Sequence, residues 1–318
     1  MKIRTVFFCF VALFWIVTAS VTAEEAQKRP KIGLALAGGG AKGLAHVGVL
    51  RVLEELNVPV DYIGGTSMGS IIGGLYASGL SADELEEILL EIDWQDVLED
   101  ETPRKDLAFR RKEEQRRYLI GLELGIKKSG IVFPTGLKTG QKLYFMLQTL
   151  TLPVTDVEDF DRLPTPFRAV ATDIHTSEAV VVDHGNLATA MRASMAIPTV
   201  FTPVVIDDRL LVDGGLSNNL PVDVVRAMGA DIVIAVDLGA PLSDRQVESL
   251  IQVYSQTMRL LTRLNMEPQL AAADLVIVPP GVSKFGTLQF KASEKILLTG
   301  IEGAREQEEV LRQWAVTP

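Results

Sequence analysis

Two short apolar segments that run straight into glycine-containing turns constrain the fold of this chain more than any other feature. Residues 32–37 are apolar and lead into a glycine turn at 38–43, after which residues 44–56 show helical spacing. Residues 62–63 then lead into a second glycine-bounded turn at 65–69, which again opens a helical pattern. A strand followed directly by a helix is typical of a parallel sheet, because parallel neighbours need a long crossover connection. The chain is therefore predicted to be a three-layer α/β/α protein with a mainly parallel central sheet.

Strand-like and helical segments continue to alternate further along the chain. Apolar runs bounded by Pro, Gly or Asp predict strands at 167–171, 179–182, 204–206, 210–212, 232–236 and 275–278. Helical spacing predicts helices at 222–228, 250–264 and 294–314, and a capping box at Ser81 and Glu84 predicts another that continues through Leu98. The stretch 178–212 is expected to add antiparallel pairing. We expect these elements to form one large domain at 24–318.

The first 23 residues have the pattern of a cleaved export signal. Lys2 and Arg4 precede an apolar run at 6–17, and the small-residue site 21–23 follows it. The run is too short to span a bilayer, which needs about 20 apolar residues. Cys9, the only cysteine, lies within this segment, so the mature chain should contain no disulfide and no zinc–thiolate site. We therefore expect an exported protein, located in the periplasm or secreted.

The charge of the chain excludes nucleic acid as a partner. The formal net charge is −10, and loss of Lys2 and Arg4 with the signal leaves −12, whereas nucleic-acid binding requires a basic footprint. A local basic run at 104–117 is interpreted as a solvated surface or as a contact with anionic lipid headgroups. Residues 131–134 are interpreted as ordinary core or as an apolar lip near a lipid site. No cluster of ligands implies a metal or another cofactor.

The turn at 65–69 matches G-x-S-x-G, with Ser67 between Gly65 and Gly69. In this motif a serine sits on a sharp strand-to-helix turn, and its hydroxyl projects at the helix N-terminus. The flanking glycines permit a turn that larger residues would block. Ser67 is therefore a candidate nucleophile, although a serine that merely caps the helix would give the same pattern.

The glycine turn at the start of the first helix is a candidate oxyanion hole. Its residues are Gly38, Gly39, Gly40, Ala41, Lys42 and Gly43. Unhindered backbone N–H groups at a helix start can hold an anion, and such donors stabilise the oxyanion of acyl transfer. The same residues satisfy G-x-G-x-x-G, the dinucleotide-binding fingerprint. That motif requires an acidic residue at the end of the second strand, whereas Asp61 comes before the second predicted strand.

A serine nucleophile needs a base, and two residue types are available. The three histidines are His46, His175 and His184, and none lies in the late position usual for a serine hydrolase. Asp213 is the alternative, because it ends a predicted strand and is followed by Gly214 and Gly215, which leave room for a neighbouring turn. An aspartate is a weak base at its ordinary pKa of about 3.9, so burial would have to raise that pKa. A solvated Asp-Gly turn is the other interpretation.

Together these motifs resemble the patatin-like phospholipase family. Further matching blocks lie at Ala171-Thr172-Asp173, Arg192-Ala193-Ser194, Ile197-Pro198 and Asn218-Asn219-Leu220-Pro221, so the resemblance covers about 31–240. It implies a patatin-like fold and a Ser-Asp dyad in which Asp213 takes the proton of Ser67, an acyl-enzyme forms, and no cofactor takes part. The implied substrate is a phospholipid or another lipid ester, and the pattern is most similar to the bacterial branch that carries a signal peptide.

Two other functions stay open at this point. The same pocket would suit a catalytically idle lipid-binding module, and the glycine turn taken alone would suit a dinucleotide-dependent oxidoreductase. Turnover of a lipid ester separates the hydrolase from both alternatives.

Overall fold

A computed structural model describes residues 29–100, 125–127, 130–132, 136–239 and 250–317. The expected export signal at 1–23, the basic run at 104–117 and residues 133–134 lie outside the described residues. Their interpretations therefore stay predictions. No helix within the described ranges is both long enough and apolar enough to cross a bilayer.

Ten strands form one large sheet and one small hairpin sheet within the described part of the chain. The strands are β1 (Ile32–Leu36), β2 (Tyr62–Thr66), β3 (Gly125–Lys127), β4 (Gly130–Val132), β5 (Phe167–Asp173), β6 (Ala179–Val182), β7 (Val204–Ile206), β8 (Arg209–Asp213), β9 (Ile232–Val236) and β10 (Leu275–Ile277). The large sheet has the order β10-β9-β1-β2-β5-β8-β7, with β6 also paired to β5, while β3 and β4 pair with each other. The five strands from β10 to β5 are parallel. Strands β6, β7 and β8 pair antiparallel, as expected for 178–212.

Helices cover both faces of the large sheet. The helices are α1 (Ala45–Glu55), α2 (Met68–Ala77), α3 (Ala82–Glu91), α4 (Trp94–Glu99), α5 (Gln141–Leu150), α6 (Leu187–Ser194), α7 (Val222–Ala227), α8 (Leu250–Ala272), α9 (Ser293–Arg305) and α10 (Glu308–Leu311). On one face, Val225 of α7 packs so closely on Gly33 and Gly64 that a Cβ at either glycine would lie within 2.7 Å of its methyl groups. On the other face, Gly73 of α2 packs against Ile63 of β2. Because neighbouring strand residues point to opposite faces, this arrangement confirms the three-layer prediction.

Three helices differ from their predicted bounds. The capping box at Ser81 and Glu84 is present, but the helix that it starts does not continue through Leu98. It ends at Glu91, and Asp93 caps the separate helix α4 by accepting a hydrogen bond from the Asp96 N–H at 3.1 Å. Helix α8 runs past the predicted end at 264, and the pattern at 294–314 is divided into α9, α10 and a short 3₁₀ turn. Helical spacing does not reveal such breaks, since the apolar stripe continues across them.

Strands β2 and β8 meet end to end beside β5, and this arrangement positions the site. Thr66, the last residue of β2, pairs with Val170. The next residue of β5, Ala171, pairs with Asp213, the last residue of β8. Because β2 is parallel to β5 and β8 is antiparallel to it, their C-terminal ends approach each other. The residues that follow β2 and end β8 are thereby brought together.

Candidate active site

Ser67 sits on a strained turn between β2 and α2. Its φ is 54° and its ψ is −122°, a region that residues other than glycine rarely occupy. A Cβ at Gly65 would lie 2.4 Å from the carbonyl oxygen of Gly69, and one at Gly69 would lie 2.3 Å from that of Leu36. The two glycines of the motif are therefore required by close backbone packing, which holds the serine in this conformation.

The structure brings Ser67 and Asp213 into direct contact. The Ser67 Oγ donates a hydrogen bond to Asp213 Oδ2 at 2.7 Å, although the residues are 146 positions apart. Ser67 is 5% exposed and Asp213 is 9% exposed. Burial raises the pKa of Asp213 to about 6, while hydrogen bonds from the Gly215 N–H and the Ser67 hydroxyl lower it. Asp213 is therefore a better proton acceptor than a solvated aspartate, and the interpretation as an exposed Asp-Gly turn does not hold.

Two glycines let the turn after Asp213 approach its neighbours. A Cβ at Gly214 would lie 2.2 Å from the carbonyl oxygen of Val170. The Gly215 N–H donates to Asp213 Oδ1 at 2.8 Å, so both carboxylate oxygens have a hydrogen-bond partner. The carboxylate is fixed in the orientation in which it accepts from Ser67.

Helix α8 holds this turn through a residue that sequence reasoning did not identify. Asn265 Nδ2 donates to the carbonyl oxygens of Gly215 and Leu216, both at 3.2 Å, and Asn265 Oδ1 accepts from the Asn219 N–H at 3.1 Å. Thr262 Oγ1 donates to the Gly215 carbonyl oxygen as well. In the sequence, Asn265 is one polar residue on an amphipathic helix, and no local signal distinguishes it from a solvated side chain.

The glycine turn at 38–43 lies directly beside the serine. A Cβ on Gly38 would be 3.0 Å from the Cβ of Ser67. The Gly38 N–H donates to the Asn219 carbonyl oxygen at 3.2 Å, and the Ala41 N–H donates to the Thr287 carbonyl oxygen at 2.8 Å. These two of the predicted oxyanion donors are thus already engaged.

The N–H groups of Gly39 and Gly40 differ from those of Gly38 and Ala41 in this respect. Neither has an acceptor among the described residues. Gly40 has a φ of 58°, and a Cβ there would lie 2.3 Å from the Thr287 carbonyl oxygen, so no other residue fits easily. Lys42 and Gly43 lie inside the 3₁₀ turn Gly40–Leu44, whose N–H groups bond three residues back within the turn. Of the six residues predicted to form the oxyanion hole, Gly39 and Gly40 therefore remain as candidate donors, and their role stays a prediction.

Two side chains of the first strand-turn-helix unit anchor the glycine turn. Lys42 Nζ donates to the Gly239 carbonyl oxygen at 2.8 Å, so its ammonium points towards the end of β9. His46 is buried, and its Nε2 donates to the Ala37 carbonyl oxygen at 2.8 Å, since a carbonyl can only accept. Burial lowers the pKa of His46 to about 4, so the ring is neutral at neutral pH. Its Nδ1 has no partner within the described residues.

Ser194 supports the backbone of Ser67. Its Oγ accepts a hydrogen bond from the Ser67 N–H at 2.9 Å and donates to the Val170 carbonyl oxygen at 2.5 Å. Arg192, two residues earlier on α6, is buried and donates to the carbonyl oxygens of Thr139 and Thr202. The Arg-Ala-Ser block thus packs behind the serine, and its polar groups hold backbone in place.

The histidines do not take part in the serine–aspartate contact. His175 lies exposed in the turn after β5, where its N–H donates to Asp173 Oδ1 at 2.8 Å. His184 lies on the surface, 57% exposed, with ring nitrogens near Asp183 and Asp207. Asp61 Oδ2 accepts from the Ile32 N–H at 2.8 Å, at the opposite edge of the sheet from the glycine turn. It is therefore not placed to hold the ribose of a dinucleotide.

Comparison with known proteins places these features in a family. The patatin-like phospholipase family profile matches residues 34–226. An uncharacterised NTE family protein of Mycobacterium tuberculosis is 35% identical over 209 residues, which are 66% of this chain and 49% of that protein. Patatin-like phospholipase domain-containing protein 6 of Homo sapiens is 36% identical over 233 residues, 71% of this chain and 14% of that protein. Lysophospholipase NTE1 of Mycosarcoma maydis is 34% identical over 234 residues, 74% of this chain and 11% of that protein.

The chain spans about half the length of its mycobacterial relatives and a smaller share of the eukaryotic ones. Among solved structures, human GIVD cytosolic phospholipase A2 superposes with a TM-score of 0.43 and 15% identity, covering 90% of this chain and 59% of the other. That structural similarity is too low to add to the assignment, which the sequence matches carry alone. The matched region contains every element of the site from the glycine turn to the Asp-Gly-Gly turn, and the chain therefore belongs to the patatin-like phospholipase family.

Proposed function

We propose that this protein is a lipid acyl hydrolase of the phospholipase A type, with Ser67 as nucleophile and Asp213 as base. The observation that carries the proposal is the 2.7 Å hydrogen bond from Ser67 Oγ to a buried carboxylate. Membership of the family supports hydrolysis of lipid esters. Relatives described as a phospholipase domain-containing protein and as a lysophospholipase support a lipid substrate.

The geometry suits acyl transfer in two steps. In the first, Ser67 Oγ attacks the ester carbonyl carbon and its proton moves to Asp213 Oδ2. The negative oxygen of the tetrahedral intermediate accepts hydrogen bonds from Gly39 and Gly40, and each such donor is worth about 10²–10³ in rate. The intermediate collapses by breaking the C–O ester bond, and the leaving alcohol takes the proton from Asp213.

The second step releases the acid. Water attacks the acyl group on Ser67 while Asp213 accepts the proton of the water. The new intermediate expels Ser67 Oγ, which recovers that proton from Asp213, and the fatty acid leaves. Asp213 thus accepts a proton from the attacking oxygen and returns it to the leaving oxygen in each step. A pKa of about 6 suits both the acceptance and the return of the proton near neutral pH. The described residues contain no group of three or more His, Cys, Asp or Glu arranged for a metal, and independence from cofactors stays part of the proposal.

Loss-of-function variants test the proposal. Release of fatty acid from phosphatidylcholine vesicles and of nitrophenol from a short nitrophenyl ester should be abolished separately by Ser67→Ala and by Asp213→Asn. A fluorophosphonate should modify Ser67, as located by mass spectrometry of the labelled peptide. Modification at another serine, or full activity in either variant, would refute the assignment. Lipid binding without turnover in the unmodified protein would instead support the idle lipid-binding module.

Export is a separate proposal that rests on the first 23 residues. Cleavage after Ala23 would give a mature protein that begins at Glu24. N-terminal sequencing of protein recovered from the periplasm or the medium tests this directly. A protein that keeps Met1 in the cytoplasm would refute it.

A further inference from the structure

Asn219 is bonded to both glycine-containing turns that form the site. Its carbonyl oxygen accepts from the Gly38 N–H at 3.2 Å, and its side-chain Nδ2 donates to the Gly38 carbonyl oxygen at 3.3 Å. Its own N–H donates to Asn265 on helix α8, whose amide also holds the turn after Asp213. Asn219 is therefore held in place between the glycine turn and the turn that carries the carboxylate.

The partners of Nδ2 decide which end of the Asn219 amide faces the dyad. Nδ2 contacts the Gly38 carbonyl oxygen and, at 3.4 Å, the Met266 sulfur, and both of these atoms can only accept. The NH₂ group must therefore lie on that side, and Oδ1 points the other way. Oδ1 receives no hydrogen bond from the described residues, and it keeps contact with solvent although Asn219 is only 6% exposed. A fixed side chain thus presents an available acceptor.

This acceptor lies beside both members of the dyad. A Cβ placed on Gly38 would be 2.6 Å from Asn219 Oδ1 and 3.0 Å from the Cβ of Ser67. A Cβ placed on Gly215 would be 2.9 Å from the same oxygen and 3.0 Å from Asp213 Oδ1. The amide oxygen and that carboxylate oxygen are therefore no more than about 6 Å apart, a gap that one water with two hydrogen bonds of about 2.8 Å can bridge.

We propose that Asn219 orients the water that hydrolyses the acyl-enzyme, by accepting one of its hydrogens at Oδ1 while Asp213 accepts the other. The proposal rests on the hydrolase function proposed above and adds a residue to its second step. Acylation removes the hydroxyl hydrogen of Ser67, so Asp213 Oδ2 becomes available to the water. The water oxygen attacks the acyl carbon, one proton moves to Asp213, and the other stays on the new acid beside Asn219. Ser67 Oγ then leaves and recovers the proton from Asp213.

The two steps of the reaction should depend on Asn219 to different extents. In the first step the attacking oxygen belongs to Ser67, which is aligned by its own turn and by its hydrogen bond to Asp213. In the second step the attacking water has no covalent tether, so its position depends on the groups that accept its hydrogens. A side-chain amide orients an attacking water in this way in other hydrolases. Loss of Asn219 Oδ1 should therefore slow deacylation much more than acylation.

Stopped-flow kinetics with p-nitrophenyl butyrate separate the two steps, because nitrophenol leaves in the first and butyric acid in the second. Asn219→Ala should lower the deacylation rate constant about 10-fold to 100-fold and the acylation rate constant less than about threefold. A burst of nitrophenol close to one per protein molecule should appear, and mass spectrometry should find the butyryl group on Ser67. Asn219→Ser, which also withdraws the amide oxygen, serves if the alanine variant fails to fold.

Two more variants distinguish the orientation of water from simple packing. Asn219→Asp keeps an acceptor and should deacylate faster than Asn219→Ala at pH 8. The acid limb of its profile should lie at higher pH, because a second carboxylate raises the pKa of Asp213. Met266→Leu is the matched control, since Met266 contacts the nitrogen end of the amide, and it should leave the ratio of the two rate constants unchanged.

The outcomes separate this role from the function on which it rests. Equal losses in both rate constants for Asn219→Ala, or an aspartate variant that deacylates no faster than the alanine variant, would overturn the role in orienting water alone. A larger loss in acylation would overturn it as well, and would assign the amide to the oxyanion. An unmodified protein that turns over no ester and whose Ser67 resists a fluorophosphonate would overturn the hydrolase function and this role together.

Discussion

The Asp213→Asn exchange should stabilise the folded protein at pH 8 while it abolishes activity, and the gain should shrink towards pH 4. Asp213 is 9% exposed, and burial raises its pKa from 3.8 to about 6. Above pH 6 the folded protein therefore holds a buried carboxylate, whereas the unfolded chain solvates the same group. The amide has nearly the same shape, its oxygen can accept from the Gly215 N–H, and its nitrogen can donate to Ser67 Oγ.

The sign and size of the effect follow from proton linkage. Below pH 3.8 the carboxyl group is neutral in both states. Between pH 3.8 and about 6 the folded state binds more protons than the unfolded state, so the stability contributed by Asp213 is lost as the pH rises. One pKa unit corresponds to 1.36 kcal/mol, so the full loss is about 3 kcal/mol. Asparagine does not titrate and avoids this loss.

Denaturant unfolding at intervals between pH 4 and pH 8 measures the effect. The free energy of unfolding of the variant minus that of the unmodified protein should rise by about 2–3 kcal/mol across this range. Ser67→Ala is the control, because it keeps the carboxylate and should keep a pH-dependent loss of stability. A difference between variant and unmodified protein that is constant or falls with pH would refute the assignment of a raised pKa to Asp213.

Four further predictions concern the site. The pH profile of kcat/KM should fall on the acid side of about 6, where Asp213 becomes protonated, and a profile flat down to pH 4 would argue against this base. His175→Ala should keep most of the esterase activity, because that ring is exposed in a turn; a loss as large as that of Ser67→Ala would point to a triad. Asn265→Ala should lower kcat about 10-fold to 100-fold with little change in KM, because its amide holds the turn after Asp213 and does not touch substrate, and steady-state kinetics on a short ester checks this. Gly69→Ala should cost about 3 kcal/mol in urea unfolding, since its Cβ would lie 2.3 Å from a backbone oxygen, and unchanged stability would contradict that packing.

Features that depend on neighbouring residues could be predicted from the sequence. The strand-turn-helix units, the glycines around Ser67 and the capping box at Ser81 and Glu84 all depend on backbone geometry within a few residues. Local apolar periodicity was likewise sufficient to predict where most of the strands lie. It was not sufficient for the break between α3 and α4 at Ile92 and Asp93, because a continuous apolar stripe conceals a change of direction. After that break, Trp94 at the start of α4 stacks on Phe290 with ring centroids 4.7 Å apart.

The contact between Ser67 and Asp213 was decided by tertiary structure. The sequence named both residues, but their meeting depends on the register in which β2 and β8 pair with Val170 and Ala171 of β5. Tertiary structure also decides which amides of the glycine turn remain without an acceptor, and it places Asn265 against the turn after Asp213. Each depends on partners more than 40 positions away in the sequence. A residue type and its local pattern determine which chemistry a side chain can perform, whereas burial, charge and partners arise only when distant segments pack together.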